Sequence, residues 1–272
     1  MLLAAIACLL SPASRAQSVS EEALGKITFE QKLNQQVSPD LQFRDEEGKP
    51  VKLGDYFGAR PVIVVMGYYG CPMLCTLVLN GLVESLQDIK LKMGDQFDVI
   101  NVSIDPLETP ALAAAKKKSY LKQYGRHDSA KGWHFLTGEE PSIKRFADEI
   151  GFQYAYDAPS RQFAHPSGLV ILTPQGRVAR YFFGVSYSSK ELNTALKEAS
   201  ANKVGSPMQQ FLMLCFHYSP ITGKYGAVIM GGVRACAIIT LLILLRLMIR
   251  AFRSDAAKRM PEPVVPARTG QA

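Results

Sequence analysis

Two cysteines, Cys71 and Cys75, have the residue type and spacing best suited to chemistry in this chain. They lie in the stretch VIVVMGYYGCPMLCTLVLNGLVESL, where an apolar run meets a helical pattern. The apolar run at 62–66 is typical of a strand that is covered on both faces. Leucine, valine and isoleucine then recur every three or four positions from 79 to 89, which indicates a helix. Two thiols at such a junction can form a disulfide with each other or bind a soft metal ion.

The start of the predicted helix sets the environment of these thiols. Pro72 suits the first helical position, where its missing N–H costs nothing. Cys71 is then expected at or just before the helix start, and Cys75 one turn inside it, on the same face. Because the N–H groups at a helix N-terminus favour a thiolate, we expect both sulfurs to have a low pKa and to be reactive. The alternative is a pair of inert, buried cysteines.

A third candidate for this site is His165, in the stretch RQFAHPSGLVIL. The loop that carries it can fold beside the cysteine helix, although it is distant along the chain. Two thiolates and one imidazole are a soft, low-coordinate set that suits Cu(I), whereas zinc usually takes a fourth ligand. Since a single histidine in a loop is more often a surface residue, both interpretations remain open on this ground alone.

The body of the chain alternates strands with helices, which predicts an α/β fold with a mixed sheet and helices on both faces. Residues 39–200 form one predicted domain, long enough to bury a core. A polar segment at 17–38 is expected to be an arm or short helix rather than part of the core. Predicted strands fall at 62–66, 97–104, 133–136, 152–156, 168–173 and 177–183, with a hairpin across 41–53. Predicted helices follow Cys71 and Pro110 and cover 141–150 and 189–199.

The two ends of the chain predict a membrane protein. Residues 1–16 are apolar and end in a small-x-small pattern, which indicates a cleaved signal peptide that removes Cys8; a lipid-modified Cys8 is the alternative. Residues 226–249 are apolar enough to cross a bilayer of about 30 Å as one helix. The tail at 250–272 is basic, which favours a cytoplasmic C-terminus and places the domain outside the cytoplasmic membrane. Residues 201–225 are the linker between them.

The chain resembles the SCO/SenC family in the order of four motifs: YYGCPMLC, SIDPLETP, WHFLTG and AHPSGLVILTPQGRVARYFFG. That family comprises thioredoxin-like, membrane-anchored proteins involved in copper insertion into cytochrome c oxidase. The resemblance covers about residues 38–200 and implies a thioredoxin-like fold. It implies copper ligands at Cys71, Cys75 and His165, and the family's Asp-Pro element at Asp105-Pro106. The chain departs from the family pattern at Pro166, where serine is usual, at Glu108, where aspartate is usual, and in its C-terminal anchor.

Two functions can use the same thiols. In the first, a metallochaperone holds copper on Cys71, Cys75 and His165 and delivers it to a subunit of cytochrome c oxidase that carries a copper site. In the second, a thiol-disulfide oxidoreductase uses Cys71 and Cys75 as its catalytic redox pair and forms a Cys71–Cys75 disulfide. The first is favoured, because three residues separate the cysteines where thioredoxin-type reductants usually have two. A peroxidase is a weaker alternative.

Partners and location follow from the same features. The expected partners are the oxidase subunit, other copper chaperones and the membrane, which the chain crosses once. The expected location is the bacterial cytoplasmic (inner) membrane, with the domain in the periplasm. The formal charge of +7 says little about partners, because the tail carries part of it, and no nucleic-acid motif is present.

Several further residues have two interpretations each. Cys215 and His217 could form a transient second copper site or simply lie at the membrane interface. Tyr68 and Tyr69 could wall the cysteines from water or be structural. A lysine cluster could dock an acidic copper protein or be a solvated face; it comprises Lys116, Lys117, Lys118 and Lys122. His127 and His134 are interpreted as surface or structural residues, and Cys236 as a packing residue. Arg246 is expected to snorkel to the interface, and Arg234 either does the same or pairs with a partner helix.

Overall fold

The structure of the protein is a computed structural model that describes residues 19–71, 74–205 and 235–250. The chain divides into two compact units, Met1–His217 and Tyr218–Ala272, and each is described by itself. The predicted signal peptide with Cys8, Pro72, Cys215, His217, Arg234 and the basic tail beyond residue 250 lie outside the described residues.

The strands and helices of the first unit alternate as the sequence predicts. The strands are β1 (Thr28–Phe29), β2 (Gln42–Arg44), β3 (Pro50–Lys52), β4 (Val62–Gly67), β5 (Asp98–Ser103), β6 (Trp133–Leu136), β7 (Phe152–Gln153), β8 (Ala155–Asp157), β9 (Gln162–Ala164), β10 (Gly168–Leu172) and β11 (Val178–Phe183). The helices are α1 (Glu21–Leu24), α2 (Leu74–Asp88), α3 (Pro110–Tyr124), α4 (Glu140–Glu149) and α5 (Ser189–Ser200). Short 3-10 helices cover Leu53–Tyr56 and His127–Gly132.

The central sheet is mixed and has the strand order β11-β10-β4-β5-β6. Strands β4, β5 and β6 are parallel, while β10 is antiparallel to both β4 and β11. The order follows the chain: α2 connects β4 to β5, α3 connects β5 to β6, and the closing hairpin returns to the other side of β4. The predicted thioredoxin-like mixed α/β fold is confirmed.

Residues of β4 alternate between two hydrophobic cores. Ile63 and Val65 pack in the core that contains the apolar faces of α2, α3 and α5. Val62, Val64 and Met66 pack in the second core, which contains α4 and the β2–β3 hairpin. Because side chains alternate between the faces of a strand, an unbroken apolar run is what a strand covered on both faces requires.

The N-terminal segment predicted as an arm or short helix at 17–38 does contain a short helix, α1, but part of it packs in the core, contrary to the prediction. The ring of Phe29 lies 5.2 Å from Phe152, 5.3 Å from Tyr181 and 5.5 Å from Phe183. Val37 is fully buried in the second core. The segment has no apolar periodicity because its few apolar residues are anchored one at a time against other elements, so the sequence pattern did not reveal them.

The predicted strand at 152–156 is divided between two small sheets. Strand β7 pairs with β1, and β8 pairs with β9 as an antiparallel ribbon. That ribbon matters for the site, because β9 ends at Ala164 and delivers His165 to the face of the domain that carries the cysteines.

In the second unit, residues 235–250 are helical. They cover only part of the apolar segment 226–249. Within the described residues, no helix has both the length and the apolar composition needed to cross a membrane.

Candidate metal site

The two cysteines lie where β4 gives way to α2. After β4 ends at Gly67, a turn closes when the N–H of Cys71 donates to the carbonyl oxygen of Tyr68 at 3.2 Å. Helix α2 is described from Leu74 to Asp88, so Cys75 lies at the N-terminal end of its described residues. The backbone N–H of Cys75 donates to the Cys71 sulfur at 3.4 Å, which holds that sulfur over the start of the helix.

His165, which follows β9, lies beside the two cysteines. Its Nε2 atom lies 3.0 Å from the Cys75 sulfur, and its side chain is only 5% exposed. One donor atom from each of Cys71, Cys75 and His165 lies within 4.8 Å of the other two. The structure therefore brings together the three residues that the sequence singled out.

The tautomer of His165 follows from its other ring nitrogen. Nδ1 lies 2.8 Å from the carbonyl oxygen of Pro166. A carbonyl oxygen can only accept, so Nδ1–H is the donor and, in the neutral ring, Nε2 carries the lone pair. That lone pair faces the Cys75 sulfur. A backbone hydrogen bond that fixes the second ring nitrogen is the usual support of a metal-binding histidine.

Aromatic rings enclose the imidazole. Phe152 stacks on His165 at 5.9 Å with an interplanar angle of 27°, and Tyr68 meets it edge-on at 6.0 Å. Tyr68 is itself buried. Of the two tyrosines considered from sequence, Tyr68 walls the site, while Tyr69 is structural: its hydroxyl lies 2.8 Å from the Leu136 carbonyl oxygen inside the other core.

The electrostatics of Cys75 differ from the prediction. A hydrogen bond with Cys71 is the largest cause that raises the pKa of Cys75, followed by burial and by negative charge on Cys71. Burial, followed by charge on Cys71, raises the pKa of Tyr68. The expected lowering of the Cys75 pKa by the helix N-terminus is therefore wrong for the metal-free protein, because two adjacent buried sulfurs cannot both ionise easily. A bound cation would reverse this balance.

Gly67 makes room for the Cys75 sulfur. A Cβ atom built on Gly67 would lie 3.0 Å from that sulfur and 3.3 Å from the Cys75 Cβ. We expect Gly67→Ala to push Cys75 out of position and to lower the free energy of unfolding by about 1 to 3 kcal/mol, as overpacking does. Denaturant unfolding measures this change. Gly25→Ala is the control, since its added Cβ would meet only ordinary contacts at 3.5 Å, and equal stability of the two variants would contradict the packing described here.

The lysine cluster on α3 is not a uniform solvated face. Lys117 forms an ion pair with Glu46, and the two side chains are only 17% and 12% exposed. Glu46 also accepts the backbone N–H of Phe135, at the edge of the central sheet, at 3.1 Å. Lys117 thus pairs at the β6 edge, while Lys118 and Lys122 are exposed and Lys116 is half-buried.

His134 has a structural position away from the metal site, in agreement with the sequence-based interpretation. Its ring lies 4.6 Å from the ring of Tyr56. Burial is the main cause that lowers the pKa of His134 from its ordinary value of 6.5 to about 4, and the charge of Lys117 adds to it. The side chain of His127 lies outside the described residues.

The low pKa of His134 predicts a pH dependence of stability. The folded state holds this ring neutral, while the unfolded chain binds a proton near pH 6.5. Stability from His134 is therefore complete above pH 6.5 and is lost as the pH falls toward 4. We expect wild type to lose about 3 kcal/mol more than His134→Gln between pH 7 and 4, from about 1.36 kcal/mol per pKa unit. Parallel pH profiles from urea unfolding would contradict this assignment.

The protein has a thioredoxin-like sheet, two thiols at a strand-to-helix junction and an imidazole directed at them. These features together define a class of proteins with a soft-metal or dithiol site. The sequence model of the SCO1/SenC family matches residues 29–201, well over half of the chain. The chain belongs to the SCO1/SenC family. The described domain and the three site residues all lie within the matched range, apart from the first residues of the N-terminal segment.

Solved structures similar to this chain include two with TM-scores above 0.5, which share its fold. A protein from Aquifex aeolicus VF5 assigned to electron transfer is 26% identical, with a TM-score of 0.54 over 62% of this chain and 95% of that one. A SCO1/SenC family lipoprotein from Bacillus anthracis is 18% identical, with a TM-score of 0.51 over 62% and 96%. Arabidopsis thaliana ScoI with copper bound is 18% identical, with a TM-score of 0.48 over 60% and 96%. No curated protein sequence matches the chain.

Proposed function

We propose that this protein is a copper metallochaperone that holds one Cu(I) ion on Cys71, Cys75 and His165 and delivers it to cytochrome c oxidase. The observation that carries the proposal is the convergence of three donor atoms within 4.8 Å. Copper is the cargo here. The membership of the chain in the SCO1/SenC family supports the same function, because the resemblance implies copper insertion into the oxidase.

The donor set favours Cu(I) over other metals. Two thiolates and an imidazole are soft ligands, and Cu(I) accepts three of them, whereas structural zinc takes four. Within the described residues, the metal-ligating group around Cys71 contains no fourth histidine, cysteine or carboxylate. A three-coordinate ion also leaves room for an incoming thiol, so copper can pass to an acceptor by exchange of one ligand at a time without a change of oxidation state.

A second candidate function is thiol-disulfide exchange. The N–H of Cys75 donates to the Cys71 sulfur, which stabilises negative charge there. A Cys71 thiolate could attack a partner's disulfide, displace one partner sulfur as a thiolate and form a mixed disulfide. Attack by Cys75 would then release the second partner thiol and leave a Cys71–Cys75 disulfide. This reaction has no need of His165.

The proposed location is the bacterial cytoplasmic membrane, with the domain in the periplasm. Support comes from the sequence alone: the signal pattern at 1–16, the apolar segment 226–249 and the basic residues after it. In this arrangement the domain meets an exported copper site on the oxidase and other copper chaperones, and the Cys71–Cys75 pair can be oxidised to a disulfide.

Copper transfer to an acceptor tests the proposal. The full chain, purified reduced in a mild detergent and loaded with Cu(I), is mixed with the copper-site domain of an oxidase subunit in its dithiol form, and both are separated and assayed for copper. We expect copper to leave the loaded chain and appear on the acceptor. Retention of all copper, together with reduction of the acceptor when it is supplied as a disulfide, would instead support thiol-disulfide exchange.

A further inference from the structure

We propose that Glu108 is a positioning residue for the metal site, whose carboxylate clamps the backbone turn that presents Cys71. This inference rests on the proposed function. Glu108 is the position at which the chain carries glutamate in place of the family's usual aspartate, and it contributes no atom to the Cys71, Cys75 and His165 group.

The clamp consists of three hydrogen bonds to one carboxylate. Its Oε2 accepts the N–H of Tyr69 at 2.7 Å and the hydroxyl of Ser103 at 2.6 Å, and its Oε1 accepts the N–H of Gly70 at 2.5 Å. Tyr69 and Gly70 are the two residues directly before Cys71. Hydrogen bonds to an ionised acceptor are about twice as strong as neutral ones. The ion pairs among the described residues include none with Glu108, so these donors are what the structure offers the carboxylate.

The sheet explains why Glu108 can reach this turn. Strands β4 and β5 are parallel neighbours, and Gly67 at the end of β4 pairs with Ser103 at the end of β5. The loops that follow both strands therefore leave the sheet side by side. In the second loop, the Asp105 carboxylate accepts the N–H of Leu107 at 2.9 Å, which bends the chain and directs Glu108 toward the first loop.

The turn itself has the features needed to accept the carboxylate. Gly70 lets it approach, because a Cβ at that position would lie 3.3 Å from the Glu108 Oε1. On its other side the turn is anchored by the buried hydroxyl of Tyr69. The carboxylate and this anchor together fix the backbone from which the Cys71 sulfur projects, so the sulfur can be held at metal-binding distance from Cys75 and His165 before metal arrives.

Two variants separate geometry from charge. Glu108→Gln keeps the length of the side chain but replaces one acceptor oxygen with an amide donor that opposes an N–H or hydroxyl of the clamp. Gly70→Ala keeps the charge but crowds the carboxylate, since the added Cβ would lie 3.3 Å from Oε1 and the side chain must shift by a few tenths of an ångström. Because Gly70→Ala retains the negative charge of Glu108, a weaker affinity in both variants identifies the lost clamp rather than a change of charge near the metal. Glu84→Gln, an exposed glutamate on α2, is the charge-matched control.

The measurement is Cu(I) affinity by competition with a chromophoric chelator, on the full chain in detergent, beside thermal unfolding of the metal-free protein. We expect Glu108→Gln to weaken binding by about 10-fold or more, as loss of a group that orients a ligand does, and Gly70→Ala to weaken it in the same direction by a smaller factor. We expect Glu84→Gln to match wild type. A residue that only supported the fold would lower the unfolding temperature and leave the affinity of the folded protein unchanged.

Wild-type affinity in both Glu108→Gln and Gly70→Ala would overturn the inference while leaving the proposed function intact. If Glu108→Gln does not fold, Gly70→Ala decides, together with Ser103→Ala, which removes a single donor and is expected to weaken binding in the same direction. Failure of the wild-type chain to bind Cu(I) at all would overturn the inference and the proposed function together.

Discussion

Replacing His165 with alanine is expected to lower the affinity of the protein for Cu(I) by more than about 100-fold. Groups that only orient a ligand cost about 10- to 100-fold when they are lost, and His165 would be a ligand itself. Its Nε2 lone pair faces the Cys75 sulfur at 3.0 Å, and Nδ1 is tied to the Pro166 carbonyl. Without the imidazole, copper keeps two sulfurs and an open position from which a chelator removes it.

The matched control for this variant is His134→Gln, which removes an imidazole that lies beside Tyr56 rather than at the cysteines. It should retain the wild-type affinity for Cu(I). Chelator competition, with circular dichroism to verify that both variants are folded, measures the difference. Oxidation of Cys71 and Cys75 should survive in His165→Ala, because disulfide exchange needs no third ligand. A His165→Ala protein that binds Cu(I) as tightly as wild type would contradict the assigned ligand set.

Replacing Gly81 with alanine is expected to destabilise the protein by about 3 kcal/mol. Helix propensity alone predicts the opposite, since alanine in a helix interior is about 1 kcal/mol more favourable than glycine. A Cβ at Gly81 would lie 1.9 Å from the carbonyl oxygen of Val185 and 2.9 Å from its carbonyl carbon. Backbone cannot rotate away as a side chain can, so α2 must shift or the segment before α5 must move.

The close contact between Gly81 and Val185 is one of two that fix α2 against the segment before α5. Ser85, one turn further along the helix, places its hydroxyl 2.7 Å from the Tyr187 carbonyl oxygen. Urea unfolding measures the change in stability. Glu84→Ala, an exposed substitution on the same helix, is the control and should change the free energy of unfolding by less than about 0.5 kcal/mol. A Gly81→Ala protein that is more stable than wild type would show that propensity outweighs the contact.

The central sheet was accessible to prediction because its apolar runs are unambiguous. Each residue of β5 is buried, and β6 begins and ends at the predicted residues, Trp133 and Leu136. The chemistry of the site was accessible too, since cysteine and histidine are few and the order of motifs resembles one family. The short distance between His165 and Cys75 could not be predicted from the sequence. The β8–β9 ribbon that brings His165 to Cys75 is too short to leave a periodic pattern.

Other features depend on contacts between segments that are remote in sequence. Phe29 and Val37 lie in a polar stretch, and only the packed structure shows that they are core residues. Glu108 could be identified as a departure from the family pattern, but its role needs the parallel pairing of β4 with β5. The raised pKa of Cys75 follows first from the hydrogen bond with the adjacent Cys71 sulfur and then from burial. The closeness of the two sulfurs was predicted from their spacing, whereas their degree of burial needed the structure.

The central claim is that Cys71, Cys75 and His165 together bind one copper ion. X-ray absorption spectroscopy of the full chain loaded with Cu(I), with copper counted per chain, tests it most directly. We expect one copper per chain with two sulfur neighbours and one imidazole nitrogen, and loss of the nitrogen in His165→Ala. Copper bound by sulfur alone in the wild-type chain, or a spectrum that His165→Ala leaves unchanged, would contradict the claim.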